Sequence, residues 1–289
     1  MLKTGILFGS YGYDRDRAEV AQAIGRAGFD TVFLTYRDDA TVGEISSLAD
    51  RNGIAVESLH APFGGISEIW AEGEEGEIWV DRLISVAKCC ARFGIPYFTV
   101  HATNVPRRNE NTTLGRDITS TGLDRFRRVA EYAAGEGVVM SFENLEFPQC
   151  ELKQLMELLP GEFPGTIGFT WDIGHWNCYP ADLDFENVLV PFLVGTHVAD
   201  NFGVKDTRVI TWEDDLHLLP FDGSIDYRIP GEIMRRSGYG GSVTLEVGRK
   251  NIIKRYMDYP DLDCWLADCH SRAERLAKMW SVEGVDERT

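Results

Sequence analysis

The chain has 289 residues, 44% hydrophobic and 26% charged, and its 46 Asp and Glu against 29 Lys and Arg give a formal net charge of −17. Such a composition suits a globular protein with a sizeable core, and the charge sets up a field that repels polyanions, so nucleic acid is disfavoured as a partner. No apolar run reaches the roughly 18 residues of a membrane span, and the first residues lack an apolar leader with a cleavage site, so the expectation is a cytoplasmic protein with no membrane partner.

In chain order, LKTGILFG (2–9) reads as a first strand and RAEVAQAIGRAGF (17–29) as an amphipathic helix. DTVFLTY, IAVESLHAP and PYFTVHAT read as strands 2, 3 and 4, with EIWVDRLISVAKCCARFG as the helix before the fourth. GLDRFRRVAEYAAGEG, VVMSFENLE, CELKQLMELLP and TIGFTWD continue the alternation as helix, strand 5, helix and strand 6, with GHWNC expected as the loop that leaves strand 6. VGTHVADN, RIPGEIMRRSGYG and SVTLEV complete it as strand 7, a helix and strand 8. Several helices stop at a glycine, as left-handed C-terminal caps do. Eight strands alternating with helices predict parallel strands in a single (β/α)8 TIM barrel, over residues 1–281, with 282–289 as a polar tail. The long connection at 202–225 is expected to be functional. Six cysteines without a CxxC pair are expected to be reduced thiols.

In a TIM barrel the reactive face is the one where the strands end. Those ends carry His60, His101, Glu143, Asp172, His175, His197 and Glu246, and the loop after strand 7 adds Asp215 and His217 in DDLH. Five of the six histidines therefore fall at one end of the barrel, with His270 left in the last helix. Imidazoles interleaved with carboxylates are what a borderline divalent cation binds. Taken singly, His60 and His101 read as hydrogen-bonded loop residues, but nine metal-capable side chains from six strands point to a metal site. Phe63, Trp70, Phe142, Trp176 and Trp212 are candidates for an apolar wall against sugar C–H faces. Arg249 and Lys250 follow strand 8, where barrels bind phosphate, but no glycine-rich cradle precedes them.

The runs ENLE, DIGH, HVADN, DLHLLPFDGSIDY and TLEV resemble the motifs of the xylose isomerase-like TIM-barrel superfamily, which holds sugar isomerases, sugar epimerases and endonuclease IV. The resemblance implies a sugar, sugar phosphate or cyclitol isomerase or epimerase acting by proton transfer. It implies one divalent ion (Zn, Mn, Co or Mg) held by Glu143, Asp172, His197 and Glu246, with Glu143 and Glu246 as base and acid. His60, His101, His175, Asp215 and His217 would then bind substrate. All nine residues also match by type the ligands of three zinc ions in the endonuclease IV branch, which implies instead a phosphodiesterase at abasic DNA. For that reading only RRN at 107–109 and KDTR at 205–208 offer basic patches. A third reading is a barrel that binds a polyol without catalysis. The resemblance also allows a homo-oligomer. The chain departs from the family's common PGEG turn, with Pro220-Phe221-Asp222-Gly223 in its place.

Overall fold

The computed structural model describes residues 1–9, 14–103, 120–145, 150–179, 184–204, 213–249 and 258–281. Eight strands form one parallel sheet: β1 Lys3–Leu7, β2 Thr31–Thr35, β3 Ala55–His60, β4 Tyr97–His101, β5 Val139–Glu143, β6 Ile167–Asp172, β7 Leu193–His197 and β8 Ser242–Leu245. From β1 to β7 each strand pairs with its sequence neighbour, and β8 pairs with β1. Past the last residue of β7 the sheet meets itself, where Val198 donates to Thr244 O (2.8 Å) and Glu246 donates back to Val198 O (3.0 Å). The eight strands expected from the sequence are thus all present, in the barrel it predicts.

Around the sheet lie α1 Arg17–Ala27, α2 Asp39–Arg51, α3 Glu74–Phe93, α4 Ser120–Gly135, α5 Cys150–Glu162, α6 Ile173–Cys178, α7 Phe185–Val188, α8 Arg228–Ser237 and α9 Leu262–Trp280. Local chemistry sets their ends. Asp16 caps α1 by accepting from Glu19 N (2.8 Å), while Glu19 returns a bond to Asp16 N. Gly94 ends α3 at φ 68°, a left-handed conformation that costs a glycine little. None of the helices among the described residues is long and apolar enough to cross a membrane.

Strand alternation divides the residues into two sets. On β4, β5 and β6 one set faces outward, and Phe98, Val100, Met140, Phe142, Phe169 and Trp171 are buried with the helices in one apolar core. The other set faces the barrel axis, and much of it is polar. Ser141 and Thr170 hydroxyls lie 2.7 Å apart, and Thr170 reaches Thr99 on β4, across β5, at 3.1 Å. Nearer the strand starts, Thr31 donates to Ser242 Oγ (3.3 Å) and Thr244 donates to Glu57. Barrel interiors are more often filled by Val, Ile and Leu. Here paired hydroxyls fill the space, and pairing limits what their burial costs. One step further along each strand, the same face presents the ionisable residues.

Candidate metal centre at the barrel mouth

His60, His101, Glu143, Asp172 and His197 are the last residues of β3, β4, β5, β6 and β7, and Glu246 follows the last residue of β8. The inward set of each strand therefore delivers its ionisable residue to the same layer. Glu143, with a side chain 0% exposed, lies at the centre. Its Oε2 accepts from His101 Nε2 (2.7 Å) and His60 Nε2 (3.1 Å), and its Oε1 accepts from His197 Nδ1 (2.6 Å). The same His197 nitrogen lies 3.2 Å from Glu246 Oε2, and the ring stacks on Phe33 with centroids 4.4 Å apart.

A second group is built around Asp215, whose Oδ2 accepts from His175 Nε2 (3.1 Å) and lies 3.0 Å from His217 Nε2. His217 adopts a left-handed φ of 45° and anchors its other ring nitrogen to Glu246 O (2.8 Å). His175 belongs to α6, so GHWNC is a short helix rather than the loop expected from the sequence. Asp172 ends β6 and also caps that helix, accepting from His175 N at 2.6 Å. Strand end and helix start coincide because one aspartate serves both.

All nine sequence-predicted residues are thus brought together, in three sets of potential ligands. These are His60, His101 and Glu143; Glu143, Asp172, His197 and Glu246; and His175, Asp215 and His217; within each set, one donor atom per residue lies within 4.8 Å of the others. Two carboxylate oxygens, Asp172 Oδ2 and Asp215 Oδ1, are buried without a hydrogen-bond partner. Buried oxygens of this kind are costly unless a cation or proton satisfies them. Imidazole nitrogens and carboxylate oxygens together fit zinc, manganese or cobalt better than an all-oxygen set would.

The electrostatics have the same origin. Burial opposes charge on every group, and partners decide the outcome. For Glu143, burial is outweighed by His197, His101 and His60, which hold the carboxyl well below its ordinary range. Burial likewise disfavours imidazolium at His197, but Glu143 and Glu246 outweigh it and raise the ring well above 6.5. At His175 burial is overcome by Asp172 and Asp215, and the ring is raised to about 10. Asp172 goes the other way, raised to about 7 by burial and then by the charges of Glu143, Glu246 and Asp215, which exceed the help from His175. Imidazolium protons thus neutralise most of the carboxylates where a cation would.

A cavity of about 340 Å³ opens above this layer, walled by residues that include Phe63, Leu145, His217 and Glu246. Its size is at the low end of the roughly 300–1,000 Å³ typical of small-ligand sites. The expected apolar wall is corrected here. Phe63 faces the cavity and lies edge-on to His60 at 5.5 Å. Trp70 and Phe142 are buried in the outer core, Phe142 because alternation turns it away from Glu143, and Trp176 packs on Trp171. Arg249 is buried and does not line the cavity. Trp212, Lys250, both basic runs and the 282–289 tail lie outside the described residues.

The supporting residues are the part that sequence reasoning missed. Asn144 follows Glu143 in ENLE; its Nδ2 donates to Asp172 O (2.8 Å) and its Oδ1 accepts from Asp172 N (2.9 Å). Asp200 and Asn201, in HVADN, hold the loop after β7. Asp200 Oδ2 accepts from Phe221 N (2.9 Å), and Asn201 Nδ2 donates to Gly174 O (2.9 Å). At the departure from PGEG, Phe221 takes a left-handed φ of 74°, with the Arg275 guanidinium 3.9 Å above its ring. The available signal was a buried amide next to a ligand, which periodicity does not detect.

Fold and site together define a TIM barrel with a candidate metal centre at the C-terminal mouth. The chain belongs to the xylose isomerase-like TIM barrel family, whose pattern matches residues 19–268. Inosose isomerase of Halalkalibacterium halodurans is 24% identical over 159 residues, 54% of each chain. D-psicose 3-epimerase of Clostridium cellulolyticum H10, solved with D-tagatose, superposes with a TM-score of 0.73 at 15% identity, over 96% of this chain and 99% of that one. The IOLI protein with a bound zinc atom gives 0.71 at 15% identity, over 96% of both chains. At such identities these structures are likenesses of fold.

Proposed function

We propose that this chain is a divalent-metal-dependent isomerase or epimerase of a sugar, sugar phosphate or cyclitol, acting by proton transfer through an enediolate. The observation that carries this reading is the convergence of Glu143, Asp172, His197 and Glu246 beneath a small cavity, with one oxygen of Asp172 left unsatisfied. These four residues would hold the ion, which when bound supplies positive charge to the developing oxyanions. Glu143 and Glu246 would be the base and acid. Both border the cavity, and Glu246, 20% exposed, is the more open to a substrate carbon. His175 and His217 would donate to hydroxyls, and Phe63 would cover a C–H face. An inosose isomerase among the relatives and a D-psicose epimerase among the structural neighbours support a small polyol as substrate.

The test is incubation in deuterated water with ketoses and inososes. Solvent deuterium should enter the carbon beside the carbonyl, and Glu246→Gln or Glu143→Gln should abolish conversion. Conversion that retains a label at that carbon, with no solvent uptake, would replace proton transfer by a hydride shift.

One observation favours a second reading, a three-zinc phosphodiesterase at abasic DNA: the nine residues divide into three donor sets, two of which share Glu143. The net charge of −17 and the small cavity oppose a duplex-wide substrate. Cleavage of an abasic duplex by zinc-loaded protein would favour it over the isomerase.

A further inference from the structure

We propose that Asn144 is a positioning residue that locks the Glu143-centred and Asp215-centred groups into one unit. The inference rests on the proposed function, in which the Glu143 group holds the ion and the Asp215 group meets the substrate hydroxyls. The β5–β6 ladder runs out at Glu143 and Thr170. Immediately beyond it, the Asn144 carboxamide continues the ladder in place of backbone, donating to Asp172 O at 2.8 Å and accepting from Asp172 N at 2.9 Å. A side-chain amide has the same donor and acceptor as a peptide, so the strand end that presents Asp172, paired with His197 of β7 on one side, is held on the other side although no β5 residue opposes it there. The residue is 1% exposed, so water does not compete for these bonds.

The backbone of Asn144 performs the second half of the task. Its carbonyl accepts from His175 Nδ1 at 2.9 Å, which fixes the ring orientation and directs Nε2 at Asp215. A backbone carbonyl on one ring nitrogen fixes which way the other nitrogen points. Asp172 in turn caps His175 N, so Asn144, Asp172 and His175 close a triangle of hydrogen bonds. Asp172 belongs to the Glu143 donor set and His175 to the Asp215 set. Removing the carboxamide therefore loosens the β5 side of the β6 end and the carbonyl that holds His175 in a single step.

The experiment uses the full chain with Asn144→Ala, read in two ways. In chelated, 15N-labelled protein, the His175 Nδ1 proton, assigned by its loss in His175→Gln, should be protected in the parent and exchange at least about 10-fold faster in the variant. In zinc titrations against a competing chelator, affinity should fall about 10- to 100-fold, the effect expected when a supporting partner is lost. If Asn144→Ala does not fold, Asn144→Asp keeps the size and one of the two bonds to Asp172 and takes the same measurements. A variant that melts earlier but keeps the proton protected and zinc affinity unchanged would overturn the proposal and leave Asn144 as strand-end packing. A parent that binds no zinc would sink the metal reading, while proton protection would still decide whether Asn144 positions His175.

Discussion

The two donor groups at the mouth are made differently. The Glu143 group stands on the ends of β3, β4, β5 and β7, its imidazoles and central carboxylate no more than 5% exposed, and each is set by the same alternation that fills the barrel with hydroxyls. The Asp215 group hangs largely on a loop, with His217 32% exposed and in a left-handed conformation, and it depends on other loops and on Asp200 for its shape. Rigid elements place ligands by register; loops place them by a chain of supporting bonds. The first group should therefore break at its own residues, and the second at its supports.

The largest effect should come from Glu143→Ala. It leaves His197 buried with one fewer counter-charge and removes the acceptor of His60 and His101. Breaking a buried pair from one side costs about 3 to 5 kcal/mol, so chemical denaturation of chelated protein should show a loss of that order. A loss below about 1 kcal/mol would mean that the imidazoles find other partners.

Next in size is a pH effect on the Asp215 group. The folded His175 ring is raised to about 10 from 6.5, so its contribution to stability is full below pH 6.5 and is lost as pH rises toward 10. Zinc at the Glu143 group needs a neutral His197, a ring also raised well above 6.5, so zinc affinity should rise with pH while the chelated protein weakens. Calorimetric melts and zinc titrations at several pH values measure both trends. Parallel trends would mean that protons and zinc do not compete for His197.

Asp172→Asn sharpens the contrast by separating stability from binding. Asp172 is raised to about 7 from 3.8, so its ionised form destabilises the fold increasingly as pH rises from about 4 to 7. An asparagine keeps the cap on α6 without the charge. Chelated Asp172→Asn should melt a few degrees higher at pH 8 than the parent and take up less metal. A lower melting temperature would place the stabilising role of Asp172 above its charge cost.

The smallest effect belongs to Phe221→Gly. Glycine relieves the left-handed backbone by about 1 kcal/mol, but the Arg275 and Tyr227 contacts are lost, so stability should change by less than about 1 kcal/mol. Zinc uptake should hold if the turn acts only through Asp200.

This division also explains what was legible in the sequence. The barrel and all nine residues could be read because apolar period and strand-end position are properties of single residues in a run. α6 reads as a loop in the sequence because GHWNC is short and its cap, Asp172, also completes the strand. Phe142 stands beside a mouth residue in the sequence, but as the neighbour of Glu143 on one strand it faces the opposite way. Asn144 and Asp200 work through backbone groups 28 and 21 positions away, and no local pattern encodes such partners. Phe221 shows the reverse case, a glycine-like conformation at a position where the PGEG pattern has glycine.

The central claim, that Glu143, Asp172, His197 and Glu246 hold a divalent ion, is tested most directly by elemental analysis and anomalous difference maps of protein purified without chelator and saturated with zinc or manganese. An ion should lie among these four side chains, with zinc about 2.0 to 2.2 Å from the nearest oxygen and nitrogen atoms. Saturated protein with no ion at that point, or with its ions bound elsewhere, would contradict it.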